Sequence, residues 1–258
     1  MSKKLLAGLS AFASLSTSAA LKTQTVEYTE SGTVLEGYLV YDDSLKGKVP
    51  GIVVVHDWMG NGEFAKGRAQ ALAKLGYVAF AADIYGKGVR PADAKAAGTL
   101  ADRYKTDRPL FRRRLRAAHE ELLKQSRVDA AKTAAIGYCF GGTGALELAR
   151  SGAPVAGVVS FHGGLGSPTP NDAKAIRGKV LVLHGADDPF VPAEEVSGFE
   201  KEMREAQIDW QLIKYGASVH SFSNPKAGSD NSKGAAYNEK ADKRSWLAMQ
   251  SFLQELFR

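Results

Sequence analysis

Apolar and polar positions interleave only near the start of the chain. Residues 24–41, QTVEYTESGTVLEGYLVY, alternate partly and carry a Ser31-Gly32 turn signal, so they predict an antiparallel hairpin. From residue 50 the pattern changes. Pro50 and Gly51 introduce IVVVH (52–56), a continuous apolar run that suits a strand buried on both faces of a parallel sheet. Residues 63–75 switch to helical spacing and stop at Gly76, placed as a C-cap. YVAFAAD (77–83) is a second buried run. Residues 92–125, rich in Ala, Arg, Lys, Leu and Glu, predict helices broken near Pro109. TAAIGYC (133–139) runs straight into the helical GGTGALELARSG (141–152). VAGVVSF (155–161), KVLVLHG (179–185) and WQLIKYG (210–216) predict further strands. A helix over 192–206 opens at Pro192, where proline is tolerated, and an amphipathic helix covers 238–257. The polar stretch near 167–178 reads as a connection. Strand and helix thus alternate from residue 50 onward. This predicts an α/β fold with a mostly parallel central sheet, helices on both faces and an N-terminal antiparallel hairpin. No repeat or linker interrupts residues 21–258, which are expected to form one domain.

Composition removes alternatives. The chain has 258 residues, enough to bury a large core. With 44% apolar and 24% charged residues it is neither a disordered chain nor a collagen-like fibre. A net charge of +6 falls well short of a nucleic-acid binder's basic footprint, so no nucleic-acid partner is expected. The first 20 residues, MSKKLLAGLSAFASLSTSAA, place Lys3 and Lys4 before a modestly apolar stretch. Small residues follow, with Ser18 and Ala20 at the −3 and −1 positions of a cleavage site. This is a secretory signal pattern. It predicts a periplasmic or secreted protein after cleavage near Ala20, the alternative being a cytoplasmic protein with an ordinary N-terminal helix. Neither this segment nor any other is long and apolar enough to predict a membrane span.

Cys139 is the one cysteine, which excludes an intrachain disulfide and a Cys-based zinc site. By composition alone it would be a small buried hydrophobe. Its neighbours say otherwise. Gly137-Tyr138-Cys139-Phe140-Gly141-Gly142 lies where a predicted strand passes into a predicted helix and has the form G-x-C-x-G, a nucleophile elbow with sulfur in place of oxygen. Such a turn lifts one side chain above the sheet, and glycines beside it allow close chain approach. The helix N-terminus favours a thiolate, and the Phe140 N–H is placed to receive an oxyanion. An acid and then a histidine should follow. Asp187 and Asp188 stand just past the strand KVLVLHG, and His220 just past WQLIKYG. Each has a plainer reading, a helix cap or a loop histidine, but their order and placement fit a triad.

The remaining histidines serve as controls. His119 falls in a charged helix and is expected in solvent. His162 and His184 end strands and are expected to shape the crevice. His56 ends a strand beside Asp57, and the following turn, Trp58-Met59-Gly60, offers the Trp58 N–H as second oxyanion donor. No metal-ligand cluster is visible, and no metal is expected. The basic stretch 103–116 reads as the solvated face of a helix. Tyr85, Tyr138 and Phe222 are candidate pocket residues.

These motifs resemble the dienelactone hydrolases of the α/β-hydrolase superfamily, over about residues 26–257. The resemblance rests on His56-Asp57-Trp58, Ala82-Asp83-Ile84-Tyr85, the Cys139 elbow, Asp188-Pro189-Phe190-Val191-Pro192 and His220-Ser221-Phe222. It implies a triad of Cys139, His220 and Asp188, choosing Asp188 over Asp187 because the family's Asp stands four residues before the Pro of a V-P pair. There are two departures. Asp57 stands where the best-known members carry a Glu that contacts the thiol. Asn224 stands where they carry an arginine for the substrate carboxylate. The resemblance implies hydrolysis of a small ester or lactone through an acyl-thioenzyme, with no cofactor. The alternatives are a thiol acyltransferase or peptidase, or a non-catalytic small-molecule binder on the same fold. The oligomeric state is not legible.

Overall fold

The computed structural model describes residues 20–258, so the expected leader lies outside the described residues apart from Ala20. Strands β1 (Leu21–Glu30) and β2 (Thr33–Asp42) form the hairpin, closed by Ser31 and Gly32 at φ 45° and 81°. Two positive φ values in a two-residue loop match the right-handed twist of the flanking strands. The elements that follow are β3 (Val49–Val55), α1 (Glu63–Lys74), β4 (Val78–Ala82), α2 (Ala94–Thr106), α3 (Arg108–Leu123) and β5 (Val128–Tyr138). Then come α4 (Phe140–Arg150), β6 (Gly157–Phe161), β7 (Lys179–Gly185), α5 (Ala193–Glu205), β8 (Trp210–Tyr215) and α6 (Glu239–Leu256). The helix break falls at Asp107, whose side chain caps α3 by accepting from the Leu110 N–H at 2.9 Å, with Pro109 in the first turn.

One eight-stranded sheet runs in the order β1-β2-β4-β3-β5-β6-β7-β8. The β1–β2 and β2–β4 pairs are antiparallel and the rest parallel. Pleating sends Val53 and Val55 into one apolar layer and Ile52 and Val54 into the other. Helices α2, α3, α4 and α5 cover the first layer, and α1 and α6 the second. From β3 the chain moves outward to β4, then returns to β5 on the opposite side of β3. That reversal opens a crevice at the carboxyl ends of β3 and β5, the place where open α/β sheets bind ligands. No helix among the described residues is long and apolar enough to cross a membrane.

Two expectations are corrected. The arginines of 103–116 are not simply a solvated face. Arg112 bonds Glu147 Oε2 at 2.8 Å and Asp172 Oδ2 at 2.6 Å, while Arg113 and Arg114 reach Glu30 at 3.1 and 3.2 Å. Glu30 at the end of β1 draws in Arg113 and Arg114, and for Arg112 the reason is α4, all of whose residues are buried. It carries Glu147 and Arg150 into the interior, and their charges draw partners inward. Arg150, wholly enclosed, bonds Glu147 Oε1 at 3.1 Å and Glu202 Oε2 at 2.7 Å. His119 is also buried rather than solvated, paired with Thr133 Oγ1 at 3.0 Å. Removing one partner of such a network leaves an uncompensated buried charge. Glu147→Ala is therefore expected to lower unfolding stability by about 3–5 kcal/mol, read from urea midpoints. An unchanged midpoint would mean the network carries no weight.

Candidate active site

Chain direction reverses sharply at Cys139, between β5 and α4. Its φ of 55° and ψ of −117° lie in a region that a non-glycine residue enters at a cost of about 1–3 kcal/mol. The neighbours hold it there. The Cys139 N–H donates to Phe161 O at 3.0 Å and to His162 Nδ1 at 3.2 Å. Its carbonyl accepts from the N–H groups of Gly142 and Thr143 at 2.9 and 3.2 Å. The flanking glycines are needed for contact. A Cβ on Gly137 would fall 1.8 Å from Gly141 O, and one on Gly141 would fall 2.2 Å from Val55 O. The turn therefore packs backbone on backbone against β3 and presents the sulfur above the crevice.

Two residues from separate loops line up behind that sulfur. His220 Nε2 lies 3.0 Å from Cys139 Sγ, and His220 Nδ1 lies 2.8 Å from Asp188 Oδ2. The other Asp188 oxygen accepts the Phe190 N–H at 2.9 Å. Asp188 is buried and Asp187 exposed, so only the former faces the imidazole. His220 is fixed through its own backbone, donating to Gly234 O at 3.1 Å and accepting from the Ala236 N–H at 3.0 Å. Burial opposes a charged imidazole. The adjacent Cys139 thiolate and the Asp188 carboxylate outweigh it, raising His220 to about 10. Burial likewise opposes a thiolate at Cys139, but the charge and hydrogen bond of His220 prevail, so the thiol titrates below its ordinary range. Each of Cys139 and His220 thus favours the charged form of the other, and Asp188 adds to the shift at His220.

Phe140 is the first residue of α4, so its N–H has no intrahelical acceptor, and it supports the sulfur instead. The Trp58 N–H, in the turn after β3, has no acceptor among the described residues. The Trp58 carbonyl accepts the Tyr85 hydroxyl at 3.0 Å, which anchors that turn. A cavity of about 470 Å³ opens over Cys139 and His220, walled by Trp58, Phe140, Phe190 and Val191. Lys105 and Lys233 also reach it.

Several candidates sit elsewhere. Asp57 makes no hydrogen bond to the thiol, and its Oδ1 accepts the Met59 N–H at 2.9 Å. Burial raises its carboxyl pKa. Tyr85 is buried behind the cavity wall, against Phe140 and His56. Pleating turns Tyr138 into the opposite layer, where it stacks on Phe161 at 4.5 Å. Phe222 is fully buried against Tyr215 and His162. Asn224 lines an adjoining cavity of about 440 Å³ beyond Trp58 and Ser221, and its side chain accepts the Lys226 N–H at 2.9 Å. None of Tyr85, Tyr138, Phe222 and Asn224 lines the cavity over Cys139.

His56 is buried between Tyr85 and Phe140, and its Nε2 accepts the Ile84 N–H at 3.3 Å. Burial lowers it to about 4, which keeps it neutral. Phe190, Val191 and Thr143 line the cavity without having been singled out by the sequence. Only the position of Phe190 and Val191 inside Asp188-Pro189-Phe190-Val191-Pro192 hinted at two of them. Among the described residues, no cluster of three His, Cys, Asp or Glu side chains is arranged to hold a metal.

Comparison with known proteins identifies the family of the chain and its fold. The crystal structure of a dienelactone hydrolase-like promiscuous phosphotriesterase from metagenomic libraries superposes with a TM-score of 0.89 and is 43% identical, covering 93% of this chain and all of that one. An uncharacterised protein of Caenorhabditis elegans is 36% identical over 149 residues, which is 56% of this chain and 92% of the relative. A protein of Synechocystis described as a putative carboxymethylenebutenolidase is 24% identical over 231 residues, 84% of this chain and 92% of its own. The model of the dienelactone hydrolase family matches residues 35–257, and the chain belongs to that family of ester and lactone hydrolases.

Proposed function

We propose that the protein hydrolyses a small carboxylic ester or lactone through an acyl-thioenzyme on Cys139. The observation that carries this reading is the Cys139–His220–Asp188 chain, with spacings of 3.0 and 2.8 Å, opening into a cavity with apolar walls. The thiolate attacks the carbonyl carbon, and the carbonyl π pair moves to oxygen. The N–H groups of Phe140 and Trp58 receive that oxyanion. Collapse expels the alkoxide, which takes its proton from His220. In a lactone the alcohol stays tethered to the acyl group. His220, now neutral, removes a proton from water as it attacks the thioester, and the Cys139 thiolate leaves. Asp188 holds the Nδ1–H of His220 and offsets the imidazolium charge. The cavity walls and the family both favour a small-molecule substrate.

The test is steady-state hydrolysis of short-chain nitrophenyl esters, a simple lactone and a carboxylated unsaturated lactone across pH. A triaryl or dialkyl-aryl phosphotriester belongs in the same panel, given the description of the 43% identical relative. Deprotonating the thiol creates the nucleophile, so kcat/KM should climb as pH rises through a thiol pKa below the ordinary 9.0. Deprotonating the imidazolium removes the acid that the leaving alkoxide needs, so kcat/KM should fall as pH passes about 10. A single limb centred on an ordinary histidine value of 6.5 would contradict the ion pair. No turnover of any panel member would favour a non-catalytic binder.

A further inference from the structure

His162 is a buried histidine that the proposed chemistry leaves unused. It follows β6 directly, with φ at 40°. Its Nδ1 lies 3.2 Å from the Cys139 backbone nitrogen and its Nε2 2.8 Å from Ser223 Oγ. The Cys139 N–H can only donate, so Nδ1 presents its lone pair there. In the neutral ring Nε2 then carries the hydrogen and donates it to Ser223 Oγ. A proton on Nδ1 would oppose the Cys139 N–H and place a second cation beside His220, whose ring stands edge-on at 5.3 Å. The Tyr138 ring and the Cys139 thiol stand beside His162, and the groups that act on its charge include His220 after β8, Arg68 on α1 and His184 on β7, all of which disfavour a proton there. Burial and those neighbours hold His162 well below its ordinary pKa.

Ser223 is also fully buried, three residues past His220. Its carbonyl accepts from Arg68 Nη2, which also bonds Asp242 Oδ1 at 2.7 Å. The Arg68 guanidinium lies over the rings of Phe64, Tyr138 and Trp246 at 5.2–5.4 Å. Helices α1 and α6 thus pin the segment that carries Ser223.

We propose that His162, in its neutral Nε2–H form, is a positioning residue that registers the Cys139 elbow to the His220 loop. One edge of the ring holds the Cys139 N–H at a backbone angle that residue would otherwise leave. The other edge grips Ser223, three residues beyond His220, and Arg68 holds Ser223 from behind. The brace joins β6, the elbow and the His220 loop, and so sets the sulfur–imidazole separation. This inference rests on the reading of Cys139 as nucleophile.

The test breaks the edge that grips Ser223 from either side. His162→Asn keeps an amide oxygen near the place of Nδ1 and loses the bond to Ser223, whereas Ser223→Ala removes only the Oγ. Each is expected to lower kcat by about 10-fold or more with KM little changed, as misplacement of a reacting group does. Each is also expected to raise the thiol pKa, read from ultraviolet thiolate absorbance. Because both remove one bond, the double variant should be no worse than the worse single one. A lowered melting temperature with wild-type kcat and wild-type thiolate titration would reduce His162 to packing and overturn the inference. If His162→Asn does not fold, Ser223→Ala alone decides by the same readouts. Cys139→Ala measured alongside keeps the two readings apart. Turnover retained by Cys139→Ala sinks the nucleophile. An inactive Cys139→Ala with a fully active Ser223→Ala sinks only the brace.

Discussion

Cys139→Ala is expected to lower kcat for a carboxylic ester by about 10⁴-fold or more, with the melting temperature close to wild type. The sulfur stands 3.0 Å from His220 Nε2 at the mouth of the cavity, and no other side chain among the described residues is paired with that nitrogen. Alanine removes the reacting atom and little packing, since Cys139 is only partly enclosed. The backbone remains in place because its hydrogen bonds come from the main chain and His162. Residual rate above water would come from the Phe140 and Trp58 N–H groups and from substrate binding. Cys139→Ser is the sharper companion. Its hydroxyl is far less acidic than a thiol, so the His220 pairing that yields a thiolate cannot yield an alkoxide in the resting enzyme. Serine should retain a small activity that depends on general-base help during attack, and its pH profile should lose the thiol limb.

Asp188→Asn is expected to cost about 10³- to 10⁴-fold in kcat, by analogy with the same change in serine triads. The reason is a shortage of acceptors. Asp188 takes two hydrogen bonds on two oxygens, from His220 Nδ1–H and from the Phe190 N–H. Asparagine has one oxygen, and its NH₂ group would face whichever donor remained. The Phe190 N–H cannot move away easily, so the amide nitrogen is left facing His220. That contact selects the tautomer with the hydrogen on Nε2, which cannot accept a proton from the thiol. The lost carboxylate charge also weakens the imidazolium, so His220 should titrate below about 10. Asp187→Asn, one residue earlier and exposed, is the matched control and should leave kcat unchanged. Equal losses at both positions would assign the effect to the loop and not to the carboxylate.

Much of this was legible from local pattern. The strand periodicity placed the elements, and the reversal that opens the crevice follows from the strand order they take. The elbow could be read because it depends on adjacent residues: glycines where Cβ atoms would collide, and a cysteine at the strand–helix junction. Asp188 and His220 could be read because they stand just past strand ends, and the resemblance chose Asp188 over its neighbour. Contacts made at long range could not be read. Tyr138 and Phe222 look like pocket aromatics until the pleat and the fold of the His220 loop turn them into the core. The arginines of α3 look solvated because periodicity counts an arginine as polar, whatever charge waits in α4. The partners of His162 are separated from it by tens of residues, so no local signal marks the contact. Asp57 shows a finer limit: it reads as a candidate thiol contact, whereas its Oδ1 caps the Met59 N–H.

Trapping the covalent acyl-thioenzyme decides whether Cys139 is the nucleophile. Enzyme mixed with excess short-chain nitrophenyl ester would be quenched in acid within a turnover, digested, and its peptides weighed. The peptide carrying Cys139 is expected to gain the mass of the acyl group and to lose it on treatment with hydroxylamine. Cys139→Ala is expected to show no acylated peptide. Turnover of the same ester with Cys139 unmodified throughout, or with the acyl group on another side chain of the cavity such as Ser221, would rule out Cys139 as the nucleophile.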